Sequence, residues 1–362
     1  MTVILVTLIV FLCGIILLII REKNKEKNLL NRHLSNDNSS HNRTVFYHGG
    51  IWGICKQAVY DTEALKWCAT FLHIGEKELS SFLYNPSEWY NLFWLAKRGG
   101  GYRMIAAPKK ELKAVHRTIY EKILINREIH PSATGFRRKM SIVENVRPHL
   151  GHAQVLKVDI HDFFGSIRKH TVRRAFKQMG YEPGIAKVLA ALCCKSGRLP
   201  QGAPTSPALS NIIVAGMDEQ LAAISRSAGL TYTRYADDLT FSGNLSSHHA
   251  FLAEVEKIVA EHKFVLNRKK TRFLDMPHRK IITGVSVSSG TKLTIPKVFR
   301  REIRQQVYHV LTKGLAEHQK YIGSSDPAYL KRLTGRLSYW HAVEPDNAYV
   351  IRSLKALKEL SH

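Results

Sequence analysis

The sequence predicts an α+β fold: antiparallel strands built around one acidic hairpin, with helices packed on them, preceded by a single transmembrane helix. Three observations predict it. Residues 231–242 (TYTRYADDLTFS) read as strand, tight turn, strand, with Tyr232, Arg234 and Ala236 alternating against Thr233 and Tyr235, then Leu239 and Phe241 against Thr240 and Ser242. Residues 155–160 (VLKVDI) form a second β-rich run that carries Asp159. Residues 2–20 (TVILVTLIVFLCGIILLII) hold no charge, and about twenty apolar residues at 1.5 Å each span a bilayer core.

Composition narrows the function. Lys plus Arg number 54 against 29 Asp plus Glu, a formal net charge of +25 spread along all 362 residues. A spread basic excess asks for a polyanionic partner, nucleic acid or an anionic membrane surface. The five cysteines, Cys13, Cys55, Cys68, Cys193 and Cys194, form no CxxC pair and no Cys/His zinc spacing. They exclude a disulfide framework and a structural zinc, and they place the main body in a reducing compartment.

In order along the chain, residues 1–21 form the anchor. Basic residues follow the apolar run (Arg21, Lys23, Lys25, Lys27), so the C-terminal side stays in the cytoplasm. No basic n-region precedes it, which argues against a cleaved signal. The expected location is a bacterial inner membrane, single-pass, with the N-terminus outside and the body cytoplasmic. Residues 22–45 are rich in Asn, Lys, Ser and His and read as a flexible tether. Residues 62–73 and 76–84 read as helices, and Pro86 opens another through Trp89, Leu92, Phe93 and Leu95. The basic stretch 97–110 reads as a glycine turn between strands, either an ordinary hairpin or a phosphate-holding one. Helical spacing returns over 113–126.

Residues 199–207 (LPQGAPTSP) form a loop stiffened by prolines and glycine, feeding a helix with Ser206 at the N-cap and Pro207 at its first position. Leu209, Ile213, Met217, Leu221 and Ile224 then make a buried stripe of about five turns. A helix over 249–262, an extended basic stretch through Lys270, a hairpin near 279–287 and helices from Pro296 onward complete the chain.

Asp237 and Asp238 alone fit either a solvated turn or a divalent-metal site, and Asp159 alone fits a turn or helix-start acid. Asp162 reads as a cap for the helix near Ser166. Together, Asp159, Asp237 and Asp238 are three carboxylates from two distant strands. Hard oxygen ligands suit Mg²⁺, and two ions about 3.5–4 Å apart clamp the oxygens of a phosphoryl transfer. With the basic excess, nucleotidyl transfer on nucleic acid is the reading that uses every piece.

These residues resemble the reverse transcriptase family. Tyr235-Ala-Asp-Asp238 matches its YxDD box, and Asp159 with Phe163-Phe164 resembles the palm motif that supplies the other metal-binding acid. Residues 199–207 are similar to its QG-x-PxSP box. Arg103-Met-Ile105 with Pro108 resembles the fingers motif, and Leu266-Asn267 with Lys270-Thr271 the motif after the hairpin. Within the family the chain is most similar to bacterial retron enzymes. Asn145-Val-Arg-Pro-His149 is close to their NAxxH element, with Val146 for alanine. Ile282-Thr283-Gly284 stands for their VTG triplet, and residues 333–338 resemble their thumb.

The resemblance implies a right-hand polymerase: fingers and palm over 46–290, the palm sheet carrying the YADD hairpin, and a helical thumb over 291–362. It implies two Mg²⁺ ions on Asp159, Asp237 and Asp238, and dNTP and template contacts from Arg103, Phe164, Gln201, Gly202 and Lys270. Phe164 is expected to exclude a ribose 2′-hydroxyl, or else simply to pack in the core. Lys270 is expected to donate a proton to pyrophosphate. Asn145, His149 and Thr283 are candidate contacts to a noncoding RNA, with local hydrogen bonding as the alternative. The implied partners are an RNA template and primer, dNTPs and a DNA product, with the membrane bound through residues 2–20 and an effector protein beside them. The implied product is branched RNA–DNA primed from a 2′-hydroxyl, in anti-phage defence. With the chain ending at His362, no maturase, endonuclease or RNase H region is expected. Two alternatives are a membrane-bound defence reverse transcriptase without a branched product and a non-catalytic membrane adaptor with a relic polymerase fold.

Overall fold

The computed structural model describes residues 60–97, 100–275 and 278–360. Backbone contacts divide the chain into Met1–Glu63 and Ala64–His362. Only residues 60–63 of the first unit are described, and the fold is that of the second. The expected transmembrane helix and polar tether lie outside the described residues. Among those residues no helix is long and apolar enough to cross a membrane.

Helices α1 (Thr62–Leu72) and α2 (Glu76–Tyr84) bury Leu65, Leu72, Leu79 and Phe82. The next segment departs from the helix expected of it. After a single 3₁₀ turn at Pro86–Trp89 the chain runs as strand β1 (Tyr90–Ala96), paired antiparallel with β2 (Tyr102–Pro108). The aromatic run that suggested helical spacing suits a strand as well, because aromatic side chains pack on a pleated surface. This ribbon leaves Leu92, Phe93, Trp94, Leu95, Tyr102 and Met104 exposed.

Helix α3 (Lys110–Ile119) continues into one π turn, Tyr120–Leu124. Short α4 (Ile142–Val146) is closed by a Ser141/Glu144 capping box. Strand β3 (Gln154–Asp159) leads to α5 (Phe163–Ser166), α6 (Lys169–Gln178) and the deeply buried α7 (Pro183–Cys193). Asp162 occupies the N-cap position of α5 with left-handed backbone, but its side chain makes no cap bond. Cys68, Cys193 and Cys194 are buried free thiols.

The expected five-turn helix is two: α8 (Ser206–Ile213) and α9 (Ala215–Ser227). They part at buried Val214, whose ψ of 7° leaves the helical range. Thr205, not Ser206, precedes α8. The Ser206 hydroxyl instead donates to the Pro200 carbonyl at 2.7 Å, closing the loop on itself rather than capping the helix.

Strands β4 (Thr231–Tyr235) and β5 (Asp238–Gly243) form the predicted hairpin. After α10 (His248–Glu261), β6 (Arg272–Leu274) completes an antiparallel sheet of order β4-β5-β3-β6. A two-residue hairpin of β7 (Ile281–Ile282) and β8 (Val285–Ser286) leads to α11 (Lys297–Lys313), α12 (Leu315–Tyr321), α13 (Tyr329–Val343) and α14 (Ala348–Glu359). Ile303, Val307, Leu333, Leu337, Trp340 and Leu357 form their core, which runs on through Ile282 and Val285 to Val155 of the sheet.

Candidate active site

The sheet register brings the acids together. Asp159 closes β3 directly opposite Asp238, which opens β5, while Tyr235 pairs with Asp238 from the other side. Ala236 and Asp237 are therefore a two-residue turn. Such turns need positive φ in the first position, and Ala236 has φ of 59°. The Ile160 N–H donates to the Asp237 carbonyl at 2.9 Å, and the Asn267 N–H to the Asp159 carbonyl at 2.7 Å. Both acid-bearing segments are thus pinned by backbone.

Burial and mutual repulsion tune the cluster. Burial pushes the Asp238 carboxyl up to about 6, and the charges of Asp237 and Asp159 add to that. Asp237 is raised by burial and by Asp159, against its own backbone N–H and the charges of Lys270 and Arg103. Lys270 Nζ lies 2.7 Å from Asp159 Oδ2 and is itself raised by that bond. Among the described residues no three His, Cys, Asp or Glu side chains close into a ready-made metal cage. Asp237 and Asp238, both raised and both beside Asp159, make a site that a divalent cation would relieve.

The loop and ribbon line one side. The Ala106 N–H donates to the Gln201 carbonyl at 2.8 Å. Gly202 has φ of 123°, and a Cβ there would come within 2.8 Å of Ile105 Cγ2. By the β1–β2 register, Arg103 and Ile105 share a face, so Arg103 lies on the face that meets this loop. Phe164 is partly buried, its ring against Phe163 and Phe136.

Comparison with known proteins agrees with this geometry. The family described as reverse transcriptase (RNA-dependent DNA polymerase) matches residues 95–307. Retron Mx65 reverse transcriptase of Myxococcus xanthus is 35% identical over 278 residues, 72% of this chain and 62% of that one. Retron Ec86 reverse transcriptase of Escherichia coli is 33% identical over 240 residues, 66% of this chain and 75% of that one. The chain belongs to the bacterial retron reverse transcriptase family. The matched stretch spans less than two thirds of the Mx65 protein. A Candida albicans telomerase solved with a fragment of telomeric RNA aligns with a TM-score of 0.42 at 10% identity, over 75% of this chain and 63% of that one. At that distance it carries no argument.

Two of the three retron-like residues, Asn145 and His149, lie inside the protein. Asn145 is 1% exposed; it accepts from the Thr134 hydroxyl at 2.7 Å and donates to Thr283 Oγ1 at 3.0 Å. His149 is 0% exposed, between Ser242 Oγ (2.6 Å) and Thr233 Oγ1 (2.8 Å). Thr233 donates its own proton to the Asn145 carbonyl, so it accepts from His149 Nε2–H, leaving Nδ1 to accept from Ser242. Burial holds this imidazole down to about 3, in keeping with a neutral ring. The geometry favours local hydrogen bonding for Asn145 and His149. Thr283, half-buried with φ of 44°, is the member nearest solvent.

Arg234 and Asp218 went unnoticed in the sequence. They form an ion pair at 2.6 Å with both side chains fully buried behind the YADD turn. The signal was an arginine inside an apolar strand, and an aspartate beside Met217 of the apolar stripe in α9.

Proposed function

We propose that this chain is an RNA-directed DNA polymerase that copies a structured RNA by metal-assisted nucleotidyl transfer. The observation that carries the proposal is the Asp159–Asp238 register, with Asp237 in the adjoining turn. Asp159, Asp237 and Asp238 would hold the divalent ions, which when bound acidify the primer hydroxyl and neutralise the leaving pyrophosphate. Lys270, beside Asp159, would supply a proton at the leaving oxygen. Arg103 would face the triphosphate, Gln201 and Gly202 would bed the base pair, and Phe164 would exclude the ribose 2′-hydroxyl. The exposed Trp94 and Tyr102, with Lys97 and Arg103 close by, make a surface of the kind that stacks single-stranded bases and holds their phosphates.

Purified protein with Mg²⁺ should extend a DNA primer on an RNA template. Asp237→Asn with Asp238→Asn should abolish extension while leaving the fold intact; activity that survives the double change overturns the mechanism. The retron relatives support a finer reading in which synthesis starts from a 2′-hydroxyl of a cognate noncoding RNA and serves phage defence alongside an effector. Sequencing the nucleic acid that copurifies should then find a branched RNA–DNA molecule, and unbranched product alone would exclude it. The uncharged run at residues 2–20 supports membrane attachment. Deleting residues 1–21 should release the protein from membranes; unchanged fractionation and unchanged protection would sink that reading.

A further inference from the structure

Ala236 is the residue whose backbone aims Asp237 and Asp238, and it lacks glycine's freedom. An L-residue with φ of 59° holds that conformation only where its surroundings over-determine it. The surroundings here form a clamp. Arg234 Nη1 donates to the Ala236 carbonyl at 3.1 Å and to Asn211 Oδ1 at 3.0 Å. Its Nε and Nη2 grip the two oxygens of Asp218 at 2.8 and 2.6 Å, and the Tyr232 hydroxyl adds a third bond to Asp218. Four donations thus fix one planar guanidinium.

The opposite wall is backbone. Arg234 N donates to the Ser132 carbonyl, and Thr134 N donates back to the Arg234 carbonyl. Gly135 then lies so close that a Cβ on it would sit 2.6 Å from Ala236 N. Asn211 joins the two walls, since its Nδ2 donates to the Gly135 carbonyl at 2.9 Å.

We infer that Arg234, held by Asp218 and Asn211, is a positioning residue that sets the YADD turn for catalysis. This rests on the polymerase reading. Stability is a weak reason for a fully buried ion pair, because well-packed apolar residues often replace one at no loss. Direction is a better reason: a planar fork reaches three separate acceptors, and a lysine ammonium cannot.

The test measures steady-state primer extension alongside amide hydrogen exchange. Arg234→Lys keeps a cation for Asp218 but cannot also reach the Ala236 carbonyl. The apolar set Arg234→Met, Asp218→Leu and Tyr232→Phe removes the network without stranding a charge, and serves if the lysine variant fails to fold. In either folded variant kcat should fall on the order of a hundredfold, the scale of an ångström of misplacement. The dNTP KM and template–primer affinity should stay at wild-type values. Exchange at residues 236 and 237 should quicken while β3 and β5 keep their protection. A folded variant with wild-type kcat overturns the positioning role, as does a loss of protection spread evenly over the sheet. The polymerase reading fails separately, if the wild type does not extend a primer or the Asp237→Asn, Asp238→Asn protein does. The exchange result stands in either case.

Discussion

Adjacent carboxylates in a turn cost little in water and much more when half-buried, which is how Asp237 and Asp238 stand. Asp238 titrates near 6 in the folded chain, above the usual value of about 3.9. Between those two values the folded state holds a proton that the unfolded state has lost. The stability linked to this group is therefore full below about pH 4 and is lost as pH rises through about 6. A bound divalent cation reverses the balance. Adding Mg²⁺ should raise Tm at pH 7.5, do much less at pH 5, and do nothing in the Asp237→Asn, Asp238→Asn protein. A Tm gain of equal size in that variant would place the binding elsewhere. Phe164 makes a different kind of prediction. Its ring touches Phe163 and Phe136, so Phe164→Ala opens space beside the site and should raise rNTP use relative to dNTP about tenfold or more, the scale on which apolar pockets discriminate. Misincorporation unchanged in a kinetic assay would leave Phe164 as core packing.

At the scale of elements, the site is a junction of one sheet, one loop and one ribbon. Gly202→Ala meets both a positive φ and the Ile105 and Ala106 atoms of β2. It should cost about 1–3 kcal/mol of stability and raise KM for dNTP, because the loop can relieve the contact only by backing away from the ribbon that bears Arg103. His149→Ala should behave otherwise. It leaves Thr233 without its ring partner and Ser242 with His152 alone and should destabilise by about 1–3 kcal/mol, with RNA affinity unchanged in a filter-binding assay. A selective loss of RNA affinity would return His149 to the RNA interface. The hairpin, β3 and the proline-rich loop were legible in the sequence because period-two alternation and proline punctuation are local signals. The β1 strand was not, since a short apolar run of aromatics fits either period. Nor was the break at Val214, where the apolar stripe continues across the interruption. The Arg234–Asp218 pair spans sixteen positions, and no local pattern joins a strand arginine to a helix aspartate.

For the whole molecule, charge is the property with the longest reach. The excess of 54 basic over 29 acidic residues does not neutralise itself. Arg268–Glu256 is an exposed ion pair and Arg336–Glu302 has an exposed Glu302, and such pairs are worth little in water. Arg300 and Arg301 stand half-buried and exposed respectively in α11, the first of the C-terminal helices that come after the site in the chain. Composition alone predicts a polyanionic partner, but a residue count carries no information on which surface would receive it. If the cationic surface binds template and primer backbones, the affinity is largely release of counterions from the nucleic acid. Binding of an RNA–DNA hybrid, measured by fluorescence anisotropy, should weaken by on the order of a thousandfold or more between about 50 and 200 mM salt, the loss expected for about six to ten phosphate contacts. The Asp237→Asn, Asp238→Asn protein should show the same slope, because those residues face the reaction and not the backbone. Affinity that hardly changes over this salt range would mean that recognition rests on bases and shape, with the basic excess directed at another polyanion such as an anionic membrane surface.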